Sequence, residues 1–247
     1  MALLLVGISS LIATWALTPF LRDFFGFLEM VDRPDDGRKL HVRPIPRVGG
    51  IALAISYIGV VLTLVIAASF WTEMLAESGP SLRLLLRLTP ALLVVFVTGL
   101  VDDFIGITPL QKIGGLLVAS MLAVWAGVRL APVGLPYSEW WVIPVSVFWL
   151  VFCSNAINLI DGMDGLASGV ALLASTGLLL AALIHHHPIL AMATAPLVGS
   201  LLGFLYYNFN PATIFLGDCG SLLIGFLLGC FVLMWNQNAA TGFDRYA

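Results

Sequence analysis

Charged residues are scarce in this sequence: they occupy 10% of its 247 positions, whereas hydrophobic residues occupy 60%. A soluble domain carries about 25% charged residues, so this chain has too little polar surface to face water on all sides. The net charge is −3, which excludes the basic character typical of proteins that bind nucleic acid. The composition therefore indicates an integral membrane protein with the lipid bilayer as its surroundings.

Cysteines are few, and the N-terminus lacks basic residues. The three cysteines, Cys153, Cys219 and Cys230, lie in or beside apolar runs, without the paired spacing of a disulfide framework or a zinc site. We expect them to behave as small hydrophobic residues. No Lys or Arg precedes Arg22, so the first apolar run lacks the basic start of a signal peptide and is predicted to be a retained helix.

The apolar runs show no alternation with a period of two, so a β-barrel is not predicted. A helix that crosses the hydrocarbon core needs about 20 apolar residues. Eight runs come near this length and predict an all-α polytopic membrane protein, a single domain over residues 1–247, in which the shorter helices must continue into their flanking loops. The predicted spans are Ala2–Phe20, Gly49–Trp71, Leu84–Leu100, Ile113–Val128, Trp140–Ser154, Leu166–Ile184, Ile189–Tyr207 and Ser221–Trp235.

The basic residues predict the orientation, because cytoplasmic loops carry an excess of Lys and Arg. Seven of these residues follow odd-numbered predicted helices, and four follow even-numbered ones. This bias places the N-terminus outside and the odd-numbered loops in the cytoplasm. Most carboxylates fall in those loops, in the stretches Asp32–Arg47, Asp102–Lys112, Asn155–Asp164 and Asn208–Asp218. Because these stretches lie on the same side of the membrane, they predict a metal-assisted site for a charged substrate.

The first two of these loops combine positive and negative charge. Arg38, Lys39, His41, Arg43 and Arg47 suit phosphate oxygens, although a loop that only sets the topology would have the same composition. Adjacent carboxylates at a membrane boundary repel one another and lose hydration, so the pair Asp102 and Asp103 favours a nearby cation over a merely solvated helix end. Lys112 would neutralise that pair or hold a phosphate.

The third and fourth loops carry oxygen ligands. On a helix, Asn155, Asn158 and Asp161 would share one face, with Asp164 one step further, and such oxygens suit Mg²⁺. Asp218 lies between glycines directly before the last predicted helix, whose N-terminus would offer N–H groups to anionic oxygens.

Two further motifs fall outside these loops. By parity the histidines at 185–187 lie on the outer face, about 30 Å of hydrocarbon away from the acidic loops. The pairs Gly199/Gly203 and Gly225/Gly229 have a spacing that lets helices approach closely. They favour packing within the fold, and packing between two copies in a homodimer is the alternative.

Together, the pair Asp102-Asp103 with Lys112, the run Asn-x-x-Asn-x-x-Asp-Gly-x-Asp-Gly from Asn155, and Gly-Asp-x-Gly-Ser around Asp218 resemble the polyprenyl-phosphate N-acetylhexosamine-1-phosphate transferase family. The resemblance covers nearly the whole chain. Within the family, the first loop is most similar to bacterial undecaprenyl-phosphate N-acetylglucosamine-1-phosphate transferases. It implies transfer of a sugar 1-phosphate from a UDP-sugar to undecaprenyl phosphate at the bacterial inner membrane, with release of UMP, to start lipid-linked cell-envelope glycans such as O-antigen or teichoic acid.

The resemblance also implies roles for these residues. Asn158 and Asp218 would hold Mg²⁺, or Mn²⁺ in its place, and Asp102 would be the base or positioning group on the lipid phosphate. Asp103, Asp161 and Asp164 would orient the metal, Lys112 and the nucleotide. The residues implied in substrate binding are Arg38, Lys39, His41, Arg47, Lys112, Asn155 and Asp164.

The C-terminus departs from the family pattern, because family members continue through further helices and a cytoplasmic loop rich in Arg and His. We expect both to be missing from this chain, which ends at Ala247. An inactive, shortened family member is therefore one alternative function. A cation transporter is a second, but its acids would lie near the bilayer midplane, within broken helices, rather than at helix ends.

Overall fold

A computed structural model of the chain describes residues 2–28, 31–32, 45–70, 79–132 and 138–243. Its helices, all long and apolar enough to cross a membrane, confirm the predicted all-α polytopic fold. The helices are α1 (Ala2–Phe27), α2 (Gly49–Phe70), α3 (Gly79–Ile105), α4 (Pro109–Ala126), α5 (Glu139–Ile160), α6 (Leu166–Ile184), α7 (Pro188–Asn208) and α8 (Gly217–Phe243). Two short strands, β1 (Val31–Asp32) and β2 (Ile45–Pro46), pair antiparallel near the start of α2.

Three of the helices that carry polar site residues extend beyond their apolar runs to include these residues. The last turn of α3 includes Asp102 and Asp103, α5 continues through Asn155 and Asn158, and α8 starts before Asp218. The apolar run marks only the hydrocarbon core, whereas backbone hydrogen bonding continues into the polar interface. Asp102, Asp103, Asn155, Asn158 and Asp218 are therefore held on rigid helix ends.

Helix α8 forms the centre of the bundle. In its most apolar stretch 89% of the residues are buried, compared with 17% in α1, which lines the outside of the bundle. Helices α2, α3, α5 and α6 pack around it. A helix that is apolar on all sides can be enclosed in this way, and its large side chains Phe226 and Phe231 are fully buried.

The glycine pairs of α7 and α8 make contacts within the chain, as predicted. A Cβ atom at Gly203 would lie 2.5 Å from the carbonyl oxygen of Leu11 in α1, and one at Gly199 would overlap the carbonyl of Gly7. In α8, a Cβ at Gly225 would overlap the backbone of Cys153 in α5. Only glycine permits these approaches.

The bundle has two distinct polar ends. At one of them, the acidic segments around Asp102, Asn158 and Asp218 contact one another. At the other, His185 and His187 pack against Trp235, with ring centroids 5.1 and 4.9 Å apart. Because Trp235 follows Asp218 by about 25 Å of helix at 1.5 Å per residue, the histidines lie far from the acids. This agrees with the predicted parity.

Candidate active site

The turn between α3 and α4 brings Lys112 back over Asp102. Gly106 allows the reversal with a φ of +72°, and a capping box between Thr108 and Gln111 starts α4. The backbone N–H of Ile107 donates to Asp102 Oδ1 at 2.9 Å. The Lys112 ammonium contacts Asp102 Oδ2, so both oxygens of this carboxylate are fixed.

Lys112 also joins α4 to α8. Its Nζ lies 2.5 Å from Asp218 Oδ2, and Asn158 Nδ2 donates to Asp218 Oδ1 at 2.8 Å. The same amide lies 2.9 Å from Ser221 Oγ. Residues from α3, α4, α5 and α8, which are far apart in sequence, thus meet around one carboxylate.

Asp103 has a role that the sequence did not suggest. The first N–H groups of a helix lack partners within it, and here those of Asp218 and Cys219 donate to the Asp103 carboxylate at 2.7 and 2.9 Å. The N–H groups that were predicted to face anionic oxygens thus donate to a carboxylate of the protein itself. Adjacent helix residues point about 100° apart, so Asp102 faces α4 while Asp103 caps α8.

Glycines bring the backbones at this corner together. A Cβ at Gly99 in α3 would lie 2.5 Å from the Cα atom of Cys219. A Cβ at Gly217, where φ is +75°, would lie 2.6 Å from the carbonyl oxygen of Arg47. The Asp103 carboxylate reaches the α8 N-terminus because neither position carries a side chain.

The described end of the first loop pairs with the segment before α8. Phe215 N–H donates to the Pro46 carbonyl at 2.9 Å, and the N–H groups of Gly49 and Gly50 donate to the carbonyls of Phe215 and Leu216. This pairing places exposed Arg47 close enough to favour the charged form of Asp161. Arg38, Lys39, His41 and Arg43 lie outside the described residues.

The predicted common face of the Asn155–Asp164 segment is only partly correct. Asn158 reaches Asp218, but Asn155 Nδ2 donates to the Val151 carbonyl of its own helix at 2.8 Å. Helix α5 ends at Ile160, so Asp161 stands at its C-cap. Asp164 lies beyond the helix. It accepts hydrogen bonds from the segment before α8 and not from the residues around Asp218.

Negative charge is in excess around Asp161. Burial, together with repulsion from Asp218 and Asp103, raises the pKa of Asp161 to about 8, although the nearby charge of Arg47 acts in the opposite direction. Within the described part of the chain, no three His, Cys, Asp or Glu side chains are close enough to form a metal centre by themselves. The amide of Asn158 adds an oxygen ligand, and this donor set with its excess charge fits a hard cation such as Mg²⁺.

The thermal stability of the protein should depend on pH because of this excess of negative charge. An unfolded Asp has a pKa of about 3.9, so the native protein keeps a proton on Asp161 that the unfolded chain has lost between about pH 4 and 8. The resulting stabilisation disappears as the pH rises through this window. In EDTA, the thermal midpoint should fall from pH 6 to pH 9, and Asp161→Asn should flatten the decline. An equally steep decline in that variant would contradict the assignment.

Comparisons with known proteins identify the family of this chain. The family model described as Glycosyl transferase family 4 matches residues 85–236, which include the described acidic segments from Asp102 to Asp218. The chain is 31% identical to a Bacillus subtilis (strain 168) protein named probable undecaprenyl-phosphate N-acetylglucosaminyl 1-phosphate transferase, over 96% of this chain and 64% of that protein.

Two other relatives bear different names. A decaprenyl-phosphate N-acetylglucosaminephosphotransferase from Mycobacterium leprae (strain TN) is 32% identical over 92% of this chain and 59% of its own length. A phospho-N-acetylmuramoyl-pentapeptide-transferase from Halalkalibacterium halodurans is 30% identical over 95% of this chain and 75% of its own length. The chain thus spans less than two thirds of the first two relatives. Since the family model covers more than half of the chain, the protein belongs to glycosyl transferase family 4.

Proposed function

We propose that this protein transfers N-acetylglucosamine 1-phosphate from UDP-N-acetylglucosamine to undecaprenyl phosphate and releases UMP. The observation that carries the proposal is the meeting of Asp102, Lys112, Asn158 and Asp218 at one end of the bundle. Family membership and the printed names of the relatives support the reaction class. The acids lie at helix ends, which favours this function over cation transport.

The reaction brings two anions together. An oxygen of the lipid phosphate attacks the phosphorus attached to the sugar, the bond from that phosphorus to the bridging oxygen breaks, and UMP leaves. Charge neutralisation is therefore the main demand on the protein. Lys112 supplies a positive charge held between two carboxylates, and Arg47 supplies a second charge at the same end.

We assign Asp102 to the positioning of the lipid phosphate. The Ile107 N–H and Lys112 fix its carboxylate, which holds the Lys112 ammonium in position to contact the phosphate. Asn158 and Asp218 would hold Mg²⁺, or Mn²⁺ in its place, and the bound ion would supply further neutralisation of phosphate oxygens. Asp103 holds α8, and with it Asp218, in place.

An apolar groove of about 460 Å³ would hold the isoprenoid chain. The residues that line it are Leu93, Val94, Val97, Thr98, Val101, Ile107 and Gln111. In membrane-spanning α3, the side chain of Val97 is 51% exposed. The end formed by Ile107 and Gln111 adjoins Asp102 and Lys112, so a lipid in the groove would present its phosphate to the cluster.

Filling the groove should weaken lipid binding selectively. Val97→Trp should raise KM for undecaprenyl phosphate about tenfold, since overfilling an apolar site costs about 1–3 kcal/mol, and leave KM for the UDP-sugar unchanged. Val118→Trp is the matched control, because Val118 is 54% exposed on α4 outside the groove. Equal effects of both variants would place the chain elsewhere.

The cellular location follows the predicted orientation. We propose that the site faces the cytoplasm from the bacterial inner membrane, where nucleotide sugars are available. Cysteines introduced at Asp23 and at His186, which lie at opposite ends of the bundle, should label from opposite sides of right-side-out vesicles.

One assay tests the proposed function. The purified chain, in nanodiscs, should release UMP from UDP-N-acetylglucosamine when undecaprenyl phosphate and Mg²⁺ are both present. Because one relative is named for a muramoyl-pentapeptide substrate, UDP-N-acetylmuramoyl-pentapeptide is the donor to compare. Faster turnover with that donor would replace the proposed sugar. Absence of turnover with either, in folded protein, would favour the inactive alternative.

A further inference from the structure

Asp164 binds a segment of the chain that leads to Asp218. Its Oδ2 accepts hydrogen bonds from the backbone N–H of Ala212 at 2.9 Å and from Asn210 Nδ2 at 3.2 Å. Ala212 and Asn210 belong to residues 209–216, the connection between α7 and α8. We call this connection the α7–α8 loop. An ionised acceptor strengthens such bonds, so the carboxylate anchors the outer part of the loop.

The rest of the loop is held on its other sides. Thr213 N–H donates to the Tyr207 carbonyl at 2.9 Å. Asn208 Nδ2 donates to the Ile214 carbonyl at 3.0 Å, and its own Oδ1 accepts from Ser168 Oγ at 2.6 Å. Pairing with Pro46, Gly49 and Gly50 fixes Phe215 and Leu216. Gly217 and Asp218 follow directly, so a shift of the loop moves the carboxylate at the centre of the site.

Asp161 and Asp164 thus have different partners, although each is followed by a glycine in the sequence. The charge of Asp161 interacts with Asp218 and Asp103, whereas the Oδ2 atom of Asp164 accepts hydrogen bonds from the α7–α8 loop. We propose that Asp164 is a positioning residue: its carboxylate fixes the α7–α8 loop so that Asp218 lies between Lys112 and Asn158. This inference rests on the proposed function and concerns the Oδ2 atom of Asp164.

Hydrogen exchange tests the positioning role without relying on turnover. In metal-free protein without substrates, Asp164→Ala should raise the amide exchange rate of peptides covering residues 209–217 about tenfold, because Ala212 loses its acceptor. Asp164→Asn keeps an oxygen acceptor and should stay close to the parent protein. Asn210→Ala removes one of the same contacts from the loop side and should raise exchange if Asp164→Ala does not fold. Unchanged exchange in Asp164→Ala and in Asn210→Ala would overturn the inference.

Kinetics measure the effect of this positioning on turnover. Asp164→Ala should lower kcat about tenfold, because a displacement of about 1 Å at a catalytic group is costly. Asp164→Asn should recover most of the loss, and Asn210→Ala should add little to Asp164→Ala. A kcat of Asp164→Ala equal to that of the parent chain would overturn the inference. If the parent chain shows no turnover, the proposed function fails while the exchange measurement still decides the role of Asp164.

Discussion

Replacement of Asp218 by asparagine should reduce UMP release by about a thousandfold, the largest effect that we expect from any single change. The variant keeps the shape of the side chain but loses the negative charge shared by Lys112 and the Asn158 amide. Asn158 cannot replace that charge, so cation binding should weaken as well. Release of UMP and binding of Mn²⁺, followed by its paramagnetic resonance signal, would be measured on the same preparation.

The matched control for Asp218 is Asp23→Asn. Asp23 lies near the same end of the bundle, is 69% exposed and pairs with Arg22 at 2.8 Å, outside the cluster. Exposed pairs of this kind contribute little to stability, so the control should keep parent activity. Near-normal turnover in Asp218→Asn would move the metal away from α8 and undo the ligand assignment.

Replacement of Lys112 by methionine should have the second largest effect, a loss of about a hundredfold or more in turnover. Methionine keeps the length of the side chain without its charge, and Asp102 and Asp218 then lose their bridging cation. The metal-free variant should also unfold at a lower temperature, because partly buried carboxylates repel one another.

Added Mg²⁺ separates the two roles of Lys112. The ion should recover much of the lost thermal stability, since a cation again neutralises the carboxylates, but it should leave turnover low because the ammonium is missing from the phosphates. Lys112→Arg, which keeps the charge, is the comparison for stability. Full recovery of turnover by Mg²⁺ would show that Lys112 acts only as a structural counter-ion.

The number of helices and their parity could be predicted from the sequence because apolar length responds directly to bilayer thickness. The same argument placed the acids at one end and the histidines at the other. Helix ends could not be predicted, since a polar residue such as Asn158 continues a helix as readily as it starts a loop. For this reason Asp102, Asp103 and Asp218 were expected just outside the helices that carry them.

Individual roles within the site were harder to predict. Asp102 and Asp103 are adjacent and chemically identical, and only packing against two different helices gives them separate partners. In the same way, the end of α5 at Ile160 turns Asp164 away from Asp161. Spacing in the sequence assumes one continuous helix and cannot show where that helix stops.

The enclosed position of α8 has a consequence for how the protein is made. Asp102, Asp103 and Lys112 leave the ribosome more than a hundred residues before Asp218, their partner across the bundle. Until α8 is inserted, Asp103 and Lys112 lack their partners on α8, and helices α2, α3, α5 and α6 lack the helix around which they pack. Because α8 is synthesised after the helices that surround it, its insertion both completes the centre of the bundle and assembles the site. Nascent chains arrested before α8 should be recognised by membrane quality control as unassembled helices.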